Sequence, residues 1–210
     1  TPTTSADQVG DTVFAAEGDY EDETYESEKG ALYRAHVPDG CRLIATGVKF
    51  RTRILGAAST DATAVEGCGP GAVACLHLGK WALVKGFTVT GGRSTAAAFS
   101  KDGTDGECGV AFYQAYSSKA PGETSYVVDC VVNDIRAVGG GCCIYGFPTP
   151  IRTSFSDFKG VTANALADAM QYGKAWNCVF DTADAQHYAL AYANSVNCTF
   201  TGKKPGLQLS

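Results

Sequence analysis

Trp176-Asn177-Cys178-Val179-Phe180-Asp181 returns as Val196-Asn197-Cys198-Thr199-Phe200-Thr201, an interval of 20 residues. A unit this short, with apolar residues on alternate positions and no helical spacing, has no second layer against which to bury its apolar side. It must stack on a copy of itself, so the pair predicts a solenoid of β-coils. Alternation puts Cys178 and Phe180 on one side of their strand, and Cys198 and Phe200 on the same side of the next.

Working outward, the same two places are filled by Ser156 and Phe158, by Cys130 and Val132, and by Phe87 and Val89, at intervals of 22, 26 and 43 residues. The lengthening reads as insertions at turns, chiefly the Gly/Ser/Thr/Asp-rich stretch from Ser94 to Glu107. The predicted internal ladder is therefore Phe87, Cys130, Ser156, Cys178 and Cys198, with Phe158, Phe180 and Phe200 beside it. A second column of strand signals runs through residues 75–78, 110–113, 142–145, 167–171 and 187–193. Two or three strands per lap, joined by turns of varying length, describe a parallel β-helix whose laps rise ~4.8 Å each. The expected fold is all-β, a single right-handed parallel β-helix of about six to eight coils with a long inserted loop near 92–108. The whole chain, 1–210, reads as one domain. N-terminal strands and an acidic loop occupy 1–40, coils 41–202 and a tail 203–210.

Composition narrows the function. Among 210 residues only 19% are charged and 25 are Gly, which suits strands and turns. A net charge of −5, with no Lys/Arg cluster larger than Lys203-Lys204, argues against nucleic acid. No apolar run reaches the roughly 20 residues that span a bilayer. The chain opens at Thr1 without a starting Met, as a secreted chain does after signal removal and as an internal fragment of a longer protein also does; an extracellular or cell-surface location is the expectation. The nine cysteines form no Cys-x-x-Cys pair, which leaves a zinc site without support. Cys178 and Cys198, stacked ~4.8 Å apart, are further apart than the ~3.8 Å a disulfide prefers, and predict a buried thiol ladder. Cys41, Cys68 and Cys108 lie in loops with freedom to pair. Cys142 and Cys143 should face opposite sides of a strand, which makes Cys143 a further candidate for a disulfide or a contact with another chain.

Asn197-Cys198-Thr199-Phe200-Thr201-Gly202, Asn177-Cys178-Val179-Phe180 and Gly139-Gly140-Gly141-Cys142-Cys143-Ile144-Tyr145 resemble repeats of secreted right-handed parallel β-helix proteins, including the polymorphic outer-membrane protein type. Gly10 to Tyr20 and Trp81 to Gly92 resemble opening laps of the same pectin-lyase-like superfamily. The resemblance implies fold more than function, since that superfamily holds lyases, glycosidases, adhesins and surface proteins. Two departures stand out: nothing before Gly10 forms the amphipathic helix that plugs a first lap, and no capping element follows the last strand.

In β-helix lyases, the resemblance implies, acidic calcium ligands and a Lys or Arg base sit on an outward face. Asp157, Lys159 and Asp181 are the candidates here, with Asp129, Asp134 and Arg136 near the edge. The competing interpretation is an exposed Lys159–Asp181 ion pair across adjacent laps, worth under about 1 kcal/mol. Polygalacturonase-type signatures are absent, and no basic trio is evident. His36, His77 and His187 lie in separate laps and read as strand-surface residues. The seven carboxylates between Glu17 and Glu28 could hold calcium or form a solvated loop; no other cofactor is indicated. Tyr113, Tyr116, Tyr126, Tyr145 and Phe147 are a candidate sugar-stacking platform. Asn197-Cys198-Thr199 matches the N-glycosylation pattern.

Two functions follow. The first is a secreted, non-enzymatic structural or surface protein whose copies stack end to end into an extracellular filament. The second is a polysaccharide lyase or hydrolase, or a polysaccharide-binding adhesin module.

Overall fold

The computed structural model describes residues 10–94, 109–114, 123–138, 141–161, 169–181, 190–202 and 207–208. Its strands fall into three large sheets that the chain visits in turn. The first round is β1 (Thr12–Ala15) in sheet A, β2 (Gly18–Tyr20) in sheet B, and β3 (Tyr25–Glu26) with β4 (Leu32–Val37) in sheet C. The second is β5 (Arg42–Ala45), β6 (Thr52–Leu55) and β7 (Val73–Leu78), and the third is β8 (Leu83–Lys85), β9 (Thr88–Thr90) and β10 (Gly109–Tyr113). The fourth adds a strand: β11 (Tyr126–Val128), β12 (Val131–Asn133), β13 (Ile135–Ala137) and β14 (Cys142–Tyr145). So does the fifth, with β15 (Thr149–Ile151), β16 (Ser154–Phe155), β17 (Phe158–Gly160) and β18 (Met170–Gln171). Then come β19 (Lys174–Trp176), β20 (Val179–Asp181) and β21 (Leu190–Ala191), and finally β22 (Asn194–Val196), β23 (Thr199–Thr201) and β24 (Leu207–Gln208). Strands β13 and β17 form a small fourth sheet, D. Nearly all the regular secondary structure among the described residues is strand, and every pairing between these strands is parallel except β3 with β4. The arrangement is compatible with a β-helix.

Register shows which side chains share a file. In sheet B, Ile54, Val89, Val132, Phe155, Phe180 and Phe200 lie above one another. Phe155 and Phe180 stack at 4.8 Å, Phe180 and Phe200 at 5.4 Å, with rings nearly parallel. The adjacent inward file holds Phe87, Cys130, Thr153, Cys178 and Cys198. Thr153 and Phe155, not Ser156 and Phe158, therefore stand in the fifth round. The sequence contains two Ser/Thr-x-Phe triplets three residues apart, and backbone conformation chooses between them. Gly86, Asp129, Arg152, Asn177 and Asn197, each one residue before the inward file, all have positive φ. The corner that turns the chain from sheet A into sheet B thus lies at Arg152, where a long basic side chain conceals it. Phe158 is also buried, one sheet further on, opposite Ile135.

In the middle of sheet C both faces are buried: all five residues of β10 and all four of β14 are inside. Cys142 and Cys143 are consequently both buried, and the outward exposure expected of one of them is not found. Strand β3 also departs from expectation. It arises within the acidic segment and pairs antiparallel with β4, its Tyr25 ring lying on His36 at 4.6 Å. The inserted stretch at 95–108, with Cys108, and also Tyr116, His187, Lys203 and Lys204, lie outside the described residues.

Candidate functional site

Sheet D and the turn before it gather most of the charged candidates. Arg93 bridges to Arg136, and Arg136 is register partner of Lys159, so three cations occupy one file in three successive rounds. Asp134 and Asp157, both at positive φ, turn the chain into sheet D immediately before those strands. Arg93 Nη2 donates to both Asp134 carboxylate oxygens at 2.9 and 3.1 Å. Arg136 Nη2 reaches Asp157 at 2.9 Å and Asp134 at 3.4 Å, while its Nε lies 3.4 Å from Glu66. Lys159 Nζ pairs with the same Glu66, which comes from the 57–71 stretch. The hydrogen bond from Lys159 is the main reason the Glu66 carboxyl is held below its usual range, with burial opposing and Arg136 and Arg93 assisting. The Lys159–Asp181 pair expected from sequence is thus replaced by Lys159–Glu66. Asp181 lies in sheet B opposite Thr201.

Three cations meet three carboxylates here, and each guanidinium also donates to backbone carbonyls: Arg93 to Asp134 at 2.6 Å, Arg136 to Asp157 at 2.8 Å. A network so paired holds the sheet D corner shut. Asp129 stands apart. It takes a two-pronged ion pair from Arg152 at 2.7 and 2.8 Å, and that bond keeps its carboxyl below the usual range.

The histidines were not legible as a pair. His36 and His77 are register partners one round apart, with Nδ1 to Nδ1 at 2.9 Å. Burial lowers both, and with the proximity of His36 it takes His77 to about 4. At neutral pH one ring therefore donates its Nδ1 proton to the bare Nδ1 of the other. The available signal was that His36-Val37 and His77-Leu78 each run into a Gly/Asp turn 41 residues apart, close to one long lap.

The pair sits in a continuous run of rings. Tyr25–His36 at 4.6 Å, His36–His77 at 4.9 Å and His77–Tyr113 at 5.3 Å lead to Tyr113–Tyr145 at 5.9 Å. Tyr145–Tyr172 at 5.6 Å and Tyr172–Tyr192 at 5.7 Å complete it. Tyr113 and Tyr145 are buried, so two members of the candidate sugar platform pack within the run. Tyr126 is exposed, but on sheet A, and Phe147 is half-buried.

Of the acidic segment, Glu17 accepts the Val48 N–H at 3.1 Å and Asp19 takes Arg53 in a two-pronged pair. Among the described residues no group of three or more His, Cys, Asp or Glu side chains is placed to hold a metal ion. Cys68, Cys75, Cys130, Cys143 and Cys178 are buried, unbridged thiols. Burial pushes Cys75 up to about 12 and Cys130 and Cys178 to about 11, so they are poor nucleophiles. Asn197 Nδ2 donates to Asn177 Oδ1 at 2.7 Å, linking two turns of one corner. Comparison with known proteins returns no match among family models, curated proteins or solved structures.

Proposed function

We propose that this chain is a non-enzymatic structural protein, a right-handed solenoid of seven coils whose copies join end to end into an extracellular filament. One observation carries the reading: the interior files run out at exposed side chains. Tyr20 is 40% and Val13 41% exposed in the first round, and Phe200 and Cys198 are only partly covered in the last. Among the described residues the outer edges of β1, β2, β22 and β23 pair with no further strand. Such edges template another strand, and a heterologous joint between them propagates. Charge favours the same joint, since seven carboxylates lie between Glu17 and Glu28 and Lys203-Lys204 follows the last large-sheet B strand.

Electron microscopy and light scattering across a concentration series test it. Filaments one chain wide are expected, lengthening as salt is lowered. Tyr20→Asp blocks one end and Phe200→Asp the other, so either alone stays monomeric and the two mixed stop at dimers. A wild-type chain that remains monomeric throughout overturns the reading. A polysaccharide-directed role has one observation in its favour, the cation file Arg93, Arg136 and Lys159. Its cations are already paired with Asp134, Asp157 and Glu66. Appearance of unsaturated sugars from uronic-acid polymers, abolished by Arg136→Ala, favours that role instead.

A further inference from the structure

The outer face of sheet A carries one apolar file, interrupted by a single lysine and flanked by a file of mixed polarity. Val84, Val127 and Ala175 are fully buried, so their strand neighbours point outward. One outward file reads Phe14, Ile44, Lys85, Val128, Ile151, Trp176 and Val196 in register. Phe14 is 66%, Trp176 47% and Val196 57% exposed; the three aliphatic residues between are half-buried. Six steps of ~4.8 Å make a strip roughly 29 Å long. The neighbouring outward file supplies Arg42, Tyr126 and Lys174, all exposed. Neither file contains a carboxylate. Three cations therefore lie on this one face of a chain whose net charge is −5.

We infer that this face docks on an anionic lipid surface. A second copy is disfavoured, because face-to-face packing sets three cations against three. A sugar polymer is disfavoured too, because Ile44, Val128, Ile151 and Val196 offer no partner for the hydroxyls they would cover. A bilayer boundary satisfies both halves of the pattern. The apolar strip enters the headgroup and acyl boundary, Trp176 and Tyr126 sit at the level such rings favour, and Arg42, Lys85 and Lys174 extend on long stems to lipid phosphates. The contact is peripheral: among the described residues no helix is long and apolar enough to cross a membrane. The inference does not depend on filament formation.

Sedimentation of the full chain with vesicles of phosphatidylcholine, alone or mixed with phosphatidylserine, tests it. Trp176 emission is followed in a Trp81→Phe background. Partition into the phosphatidylserine vesicles, a blue shift of Trp176 and loss of both at high salt are expected. Lys85→Glu and Lys174→Glu should each weaken partition by fivefold or more, about the factor that one cation near the surface contributes. Trp176→Ser should weaken it without changing the melting temperature, since the side chain is exposed. Failure to partition overturns the inference, as does partition indifferent to these variants. A dimer broken by Trp176→Ser assigns the face to a second copy and also overturns it. Binding to polygalacturonate, lost in Trp176→Ser without any vesicle binding, overturns it in favour of a sugar polymer.

Discussion

At His77 a ring that carries a proton in the unfolded chain below about 6.5 does not do so in the fold until about pH 4. The folded state then binds fewer protons, so its stability is complete above the unfolded value and declines as pH falls through that window. The shift corresponds to roughly 3 kcal/mol, lost by pH 4 and unchanged below it. Urea midpoints measured from pH 7 to 4 should fall accordingly, and His77→Phe should remove most of the slope. Glu66 and Asp129, held low by Lys159 and Arg152, add losses at still lower pH. Thiols make a second prediction at this scale. Cys75, Cys130 and Cys178 should resist an alkylating reagent at pH 8 in the fold and react once urea unfolds it, as mass spectrometry of the labelled chain would register. Rapid labelling of folded protein contradicts their burial.

Single strands here are two to six residues long, so each is held by the strands above and below it. Phe180 has ring neighbours on both sides and is fully buried. Phe180→Ala should cost about 3–5 kcal/mol in chemical denaturation, and Phe200→Ala less, because Phe200 has a ring on one described side only. Corners impose a different constraint. A Cβ on Gly56 would sit 2.5 Å from Gly92 Cα and 2.6 Å from the Val73 carbonyl, both backbone, so Gly56→Ala should destabilise through strain that no side-chain rotation relieves. A melting temperature equal to wild type contradicts that packing. Corners also explain the slip at Ser156. The left-handed residue is Asn at 177 and 197 and Asp at 129, types that tolerate it, whereas Arg152 adopts it at a cost of about 1–2 kcal/mol set against its ion pair with Asp129.

Across the molecule, the sheet C strands of the middle rounds are buried while β1, β2, β22 and β23 are largely exposed. Hydrogen exchange should therefore be slowest in β10 and β14 and quicken toward both ends, since each round is supported only by its neighbours. Uniform protection from β1 to β23 contradicts this. The repeated Asn-Cys-x-Phe motif alone determined that strands pair in parallel and that Phe180 lies against Phe200, because alternation and interval are local properties of the chain. Tertiary structure decided what interval could not. Register depends on where each corner falls, and a corner is a backbone conformation that Arg152 adopts as well as Asn does. The partners of Lys159 and His77 lie 93 and 41 residues away, across turns of irregular length. Only the stacking of rounds brings such residues together, because long-range contact follows from accumulated geometry and leaves no local pattern in the sequence.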